Sequence, residues 1–201
     1  LSQFSGISLK KYTTLIMVSG SYNQLGKDEV KKIKKWVEEG NTLITIAGGS
    51  SWAISKKLIN ESLVESKKDS THSRKNYVDA REFIGRERIG GVILKADIDL
   101  THPIAFGYND NSIPVYKNNN VFINKTKNDY SSVATYSKDF HIDGYISESN
   151  KKDFIPGAAS LIISKVGSGR VVVFADNPNF RGTWYGTCLL YTSPSPRDSD
   201  S

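Results

Sequence analysis

Two near-continuous apolar, β-branched runs flank one amphipathic stretch near the start of the chain, and this arrangement limits the folds open to it. Tyr12 to Ser19 reads as a strand buried on both faces, ending at Gly20. After a loop, Lys27 to Glu39 places Val30, Ile33, Trp36 and Val37 on one helical face, with Asp28 and Glu29 in the first turn to suit the helix dipole. Gly40 is a stop signal and Thr42 to Ala47 is a second buried strand. Gly48-Gly49-Ser50-Ser51 then opens a short helix around Trp52 to Ile59. Strand, helix, strand, helix is a parallel crossover unit, so the expected class is α/β, a flavodoxin-like three-layer sandwich with a mainly parallel sheet.

Residues Asn60 to Arg88 are charged and weakly periodic, an excursion with a short helical piece near Tyr77 to Phe83. From Ile89 the texture turns to strands: Gly91–Ala96, Pro114–Tyr116, Asn120–Asn124, Ser132–Tyr136, Asp143–Ser147 and Ala158–Lys165. The turn Val166-Gly167-Ser168-Gly169 leads from the last of these into Arg170–Ala175, a C-terminal β-hairpin.

Length and charge narrow the function classes. A chain of 201 residues can bury one sizeable core, and its 8 Phe, 10 Tyr and 3 Trp exclude a disordered polymer. A mean hydropathy of −0.39, with no apolar run near the ~18 residues of a membrane span, argues against membrane insertion. Net charge is +6, but the lysines fall in scattered pairs such as Lys10-Lys11, Lys34-Lys35 and Lys151-Lys152. A solvated surface explains them better than a nucleic-acid face. The single cysteine excludes a disulfide framework and a Cys-based zinc site.

Both ends read as cuts. The chain opens on Leu1 without a signal-peptide pattern, as if inside a longer reading frame. Cys188 to Asp198 resembles the translation of a transposon-type sequencing adapter of the kind met in metagenomic genes, so 188–201 is expected to be an artefactual or disordered tail. Without that tail, residues 1–187 hold 26 basic and 19 acidic residues and no cysteine.

Three groupings could carry chemistry. Gly49-Ser50-Ser51-Trp52-Ala53 approaches the Gly-x-Ser-x-Gly elbow, with Ser51 as a nucleophile for an esterase-like hydrolase. A triad would draw on Asp97 or Asp99 with His102 or His141; otherwise Ser50 or Ser51 caps a helix. Asp97, Asp99 and His102 could hold a cation, or could form a turn stiffened by Pro103 in which Asp and Thr cap backbone groups. Asp176 and Arg181 follow the last strand, where α/β sheets place ligands, and could bind a sugar or an anion or brace the turn as an ion pair. Trp184 and Tyr185 suit a core or an interface. His72, His102 and His141 show no zinc-hydrolase spacing, and no phosphate-binding glycine loop occurs.

Tyr12-Thr13-Thr14-Leu15-Ile16 and Lys35-Trp36-Val37-Glu38-Glu39-Gly40-Asn41-Thr42-Leu43 together resemble the opening of class I glutamine-amidotransferase-like domains. A more specific likeness lies in Asp99-Leu100-Thr101-His102-Pro103-Ile104-Ala105-Phe106-Gly107-Tyr108, in Asp143-Gly144-Tyr145-Ile146, in Gly167 to Arg181 and in Trp184-Tyr185-Gly186-Thr187. These are similar to the version at the C-terminus of bacterial zinc carboxypeptidase-like proteins. The resemblance implies that residues 1–187 form a non-catalytic accessory domain of an exported parent. The zinc would belong to an absent N-terminal peptidase domain, which is the implied partner, alongside a homodimer. Neither the parent's His-x-x-Glu motif nor an amidotransferase Cys, His and Glu set maps onto this chain, so no cofactor is assigned to it. The family's pattern continues past Thr187 as an apolar helical segment.

Overall fold

The structure is a computed structural model and describes residues 4–65 and 76–180, together with Thr187 and Leu190. β1 (Thr14–Met17), α1 (Lys27–Glu38), β2 (Thr42–Ile46) and α2 (Gly48–Ser55) form the expected crossover unit. α3 (Tyr77–Glu87) precedes β3 (Val92–Ile98), β4 (Ser112–Lys117), β5 (Ile123–Asn124), β6 (Ser132–Gly144), β7 (Ala158–Val166) and β8 (Gly169–Phe174). They make one eight-stranded sheet. Seven strands run in the order β1-β2-β8-β7-β6-β3-β4, and β5 pairs with β7 beside that path.

The helix signals work as their chemistry requires. The Glu29 carboxylate accepts the Gly26 N–H at 2.9 Å, answering a free donor at the start of α1. Gly40, at φ 115°, supplies the left-handed residue that ends it. Trp36 is buried, and its indole N–H reaches the carbonyls of Leu9 at 3.0 Å and Tyr12 at 3.1 Å, lashing the N-terminal segment to α1.

The expectation of a mainly parallel sheet is corrected. Among the described residues only β1–β2 and β2–β8 pair in parallel; β8–β7, β7–β6, β6–β3, β3–β4 and β5–β7 are antiparallel. Parallel neighbours need a crossover, and among the described residues an α-helix joins consecutive paired strands only between β1 and β2. The two-residue turn Gly167-Ser168 forces β7 and β8 to run against each other, as the hairpin signal indicated. Two segments expected to be separate, Ser132–Tyr136 and Asp143–Ser147, are parts of the single long strand β6 and its exit, interrupted by irregular register near Leu94 and Ala96 of β3.

Both sheet faces are apolar. On one, Ile33, Trp36 and Val37 of α1 and Trp52, Ala53 and Ile54 of α2 pack on Leu43, Val171 and Val173. On the other, Ile44, Val172 and Phe174 meet Leu94, Val115 and Tyr136 of the antiparallel half. α1 and α2 therefore share one face. The opposite face is closed by the sheet's own curl, with help from Ile89, Ile146 and Ile155, rather than by a second layer containing α1 or α2. α3 buries none of its residues. No helix among the described residues is long and apolar enough to cross a membrane.

Candidate functional site

The chain turns sharply where β2 meets α2. Ile46 ends the strand, Ala47 adopts φ 48° and ψ −106°, and Gly48 begins the helix. A side chain at such an angle stores backbone strain of about 1–3 kcal/mol, a conformation concentrated at functional sites. The surroundings enforce it. The Ala47 N–H donates to the Phe174 carbonyl at 2.8 Å, and the Ser51 N–H donates to the Ala47 carbonyl at 3.0 Å. A Cβ on Gly49 would lie 2.5 Å from the Met17 carbonyl oxygen, and one on Gly48 would lie 2.9 Å from that of Gly20. Only glycine lets the start of α2 sit this close to the end of β1.

This is a strand–turn–helix elbow of the kind that presents a nucleophile. Its apex is Ala47, not Ser50 or Ser51. Helical periodicity, read from Trp52 onward, missed that α2 starts four residues earlier, because glycines and serines carry no apolar period. Ser50 is buried within α2; its hydroxyl donates to the Phe174 carbonyl at 2.8 Å and lies 3.0 Å from Thr45 Oγ1. Ser51 is half-buried one position on. Neither described histidine is hydrogen-bonded to these serines. His102 Nδ1 accepts the Ile104 N–H at 3.2 Å, and His141 Nε2 lies 2.8 Å from the Gly144 carbonyl. His72 lies outside the described residues.

The polar run before Pro103 is a turn. Asp99 accepts both the backbone N–H of Thr101 at 2.9 Å and its hydroxyl at 2.6 Å, which holds the carboxyl below its usual range. Asp97 accepts from Ser137 at 2.5 Å. Partial burial pushes the His102 imidazole down. Among the described residues, no three His, Cys, Asp or Glu side chains gather as metal ligands.

Asp176 sits at the centre of the deepest polar cluster described. It is buried directly after β8 and lies 3.2 Å from the ammonium of Lys117, the last residue of β4, which is itself fully buried. Asp176 also accepts from the Tyr136 hydroxyl at 2.8 Å and the Ser160 hydroxyl at 2.5 Å. Lys117 donates further to the Val121 carbonyl at 2.6 Å and stands 4.5 Å from the Phe122 ring centre. The space beside Asp176, bounded by Val115, Phe174, Pro178 and Leu190, is a cavity of about 10 Å³, enough for one water and not for a sugar. Arg181, expected as its partner, lies outside the described residues, as do Trp184 and Tyr185. Thr187 is described as helical and buried; its hydroxyl donates to the Pro178 carbonyl at 2.7 Å. Leu190, within the stretch expected to be a tail, is helical and packs in the core.

Sequence reading overlooked Lys117, Tyr136 and Ser160. The one available signal was a lysine closing an apolar strand run, since the partners are 59, 40 and 16 residues from Asp176.

Burial pushes Lys117 below the ordinary lysine value, against the pull of Asp176. Burial, reinforced by the Asp176 charge, holds the Tyr136 phenol well above its usual 10.0. A raised tyrosine pKa keeps its proton in the folded state. Its share of stability is therefore complete below pH 10 and falls once the unfolded chain can ionise. Lys117 acts in the opposite sense. Its lowered pKa means that the folded state sheds the proton first, so stability is gained as pH rises towards the unfolded lysine value. Replacing Tyr136 with Phe isolates the first effect. The stability gap between wild type and variant should hold up to pH of about 10 and narrow above it in urea titrations. A gap that stays constant would refute the assignment.

No protein-family model matches the chain, and no curated protein matches it. Solved structures do. A GMP synthase component from Thermoplasma acidophilum superposes with a TM-score of 0.53 at 14% identity, covering 96% of this chain and 75% of that one. PurLQS from Thermotoga maritima gives 0.54 at 13% identity, covering 94% and 81%. A ThuA-like protein from Bacteroides uniformis gives 0.50 at 15% identity, covering 96% and 73%. At these identities the likeness concerns the fold alone, and it supports a mixed α/β architecture.

Proposed function

We propose that this chain is a non-catalytic accessory domain, glutamine-amidotransferase-like in fold, of a larger exported zinc carboxypeptidase-like protein. The observation that carries the non-catalytic reading is the apex of the elbow. The backbone has the strained turn on which a nucleophile would stand, and that position holds the methyl group of Ala47. A methyl group neither attacks a carbonyl nor exchanges a proton, and the neighbouring Ser50 hydroxyl is spent inside the core. A flavodoxin-like frame for the parallel half is part of this reading, supported by the succession β1, α1, β2, α2.

The zinc carboxypeptidase parent rests on the sequence resemblance of the second half of the chain. The metal would be held by the parent's peptidase domain, and the described residues supply no donor set for it. A scaffold should leave apolar surface for its partner. Tyr12, Ile16 and Val18, in and around the edge strand β1, are 53%, 38% and 58% exposed. Ile16 lies level with Ile44 and Val172 on neighbouring strands, both fully buried. The peptidase domain, or a second copy of this chain, would cover that surface.

Two measurements test the proposal. Ammonia release from glutamine and hydrolysis of p-nitrophenyl acetate should both stay at the buffer rate. Turnover that disappears in Ser51→Ala would overturn the non-catalytic reading in favour of an esterase-like hydrolase. Sequencing upstream of Leu1 should uncover a His-x-x-Glu motif, and a frame without one would remove the parent.

A further inference from the structure

A second feature lies at the other end of α2 from Ala47. There the ends of α1, α2 and β7 enclose a depression of about 440 Å³, within the size range of small-molecule sites. Its lining residues include three lysines, Lys34, Lys57 and Lys165, and two glutamates, Glu38 and Glu61. Glu61 is held in place, because the hydroxyl of the buried Ser164 donates to its Oε1 at 2.8 Å.

Lys57 is the informative residue. It occupies the left-handed position that ends α2, at φ 55°. Its N–H bonds to the Ile54 carbonyl and the next N–H, of Leu58, bonds to that of Ala53, the paired capping pattern that glycine ordinarily serves. A lysine there costs about 1–2 kcal/mol relative to a relaxed backbone. A cation needed only to complement the helix dipole could sit anywhere in the last turn without that cost. The backbone is strained, and the strained residue lines this depression.

We propose that this depression binds a small polyhydroxylated anion, a sugar acid or a sugar phosphate. Three lysines against two glutamates leave one net positive charge for the anionic group. The carboxylates of Glu38 and the braced Glu61 accept from hydroxyls, as do the side-chain oxygens of Asn60 and Ser131. An inorganic anion would leave those acceptors unused, and a neutral sugar would leave the lysines unanswered.

The test is calorimetric titration of the whole chain with glucuronate, glucose 6-phosphate, glucose and inorganic phosphate. One of the two anionic sugars should saturate the protein with an affinity at least about tenfold above glucose and phosphate. Which of the two it is identifies a carboxylate or a phosphate as the anchor. Lys57→Gly should weaken that binding about fivefold or more, the loss of one charged contact. Its thermal midpoint should hold or rise, because glycine relaxes the left-handed turn. Loss of binding in a variant that is no less stable separates a ligand role from a structural one. Three results would each overturn the proposal: no saturation by either anionic sugar, phosphate binding as tightly as the sugars, or unchanged binding in Lys57→Gly. None of them bears on Ala47, so the accessory-domain reading would stand or fall separately.

Discussion

Asp176→Ala should destabilise the domain by about 3–5 kcal/mol, the usual cost of stranding one member of a buried ion pair. The Lys117 ammonium would be left fully buried with backbone and amide oxygens and two aromatic rings, and no countercharge. The structural consequence is specific. β4 lies four places from β8 along the sheet, and the curl brings the two together: the Asn177 N–H donates to the Tyr116 carbonyl at 3.1 Å, and Lys117 meets Asp176 at 3.2 Å. The pair is the clasp that closes the curled sheet on itself. Urea unfolding followed by circular dichroism measures the loss. The double variant Lys117→Met with Asp176→Leu should recover part of it, since an apolar pair replaces a buried ion pair at little cost while the Tyr136 and Ser160 hydroxyls still lack their acceptor. A loss under about 1 kcal/mol in Asp176→Ala would show that the clasp does not hold the curl.

Trp36→Ala has the next largest expected effect, about 3–5 kcal/mol, from the cavity left where α1 meets the sheet. Trp36 is 4% exposed, and its indole N–H bridges two carbonyls of the N-terminal segment. Trp36→Phe separates the two contributions. It keeps an aromatic ring in the core but leaves the carbonyls of Leu9 and Tyr12 without this donor, for an expected loss of about 1–3 kcal/mol. Limited proteolysis should then cut before β1 sooner in Trp36→Phe than in wild type. Equal cleavage rates would show that the indole hydrogen bonds do not anchor the segment.

The two effects differ in how far they could be read from sequence. Trp36 announces itself, because the spacing of Val30, Ile33, Trp36 and Val37 marks one helical face. Lys117 does not. It belongs to a strand whose alternation makes it an inward position, yet charge alone suggests an outward one. A buried lysine is recognisable only from its countercharge, and that lies 59 residues away.

The elbow divides in the same way. Two consecutive glycines after a β-branched strand promise a tight turn into a helix. Which residue stands at the apex depends on where the helix begins, and serines and glycines carry no period to show it.

Local physics therefore settled the crossover unit, the amphipathic face of α1, the glycine that ends it and the closing hairpin, because each depends on neighbours a few residues apart. The curl of the sheet, the largely antiparallel pairing, the Lys117–Asp176 clasp, the empty apex at Ala47 and the depression beside Lys57 were decided by tertiary structure. Each depends on which distant segments share a sheet edge or a turn. That choice is made by burying apolar faces together, and the burial energy is nearly indifferent to chain order.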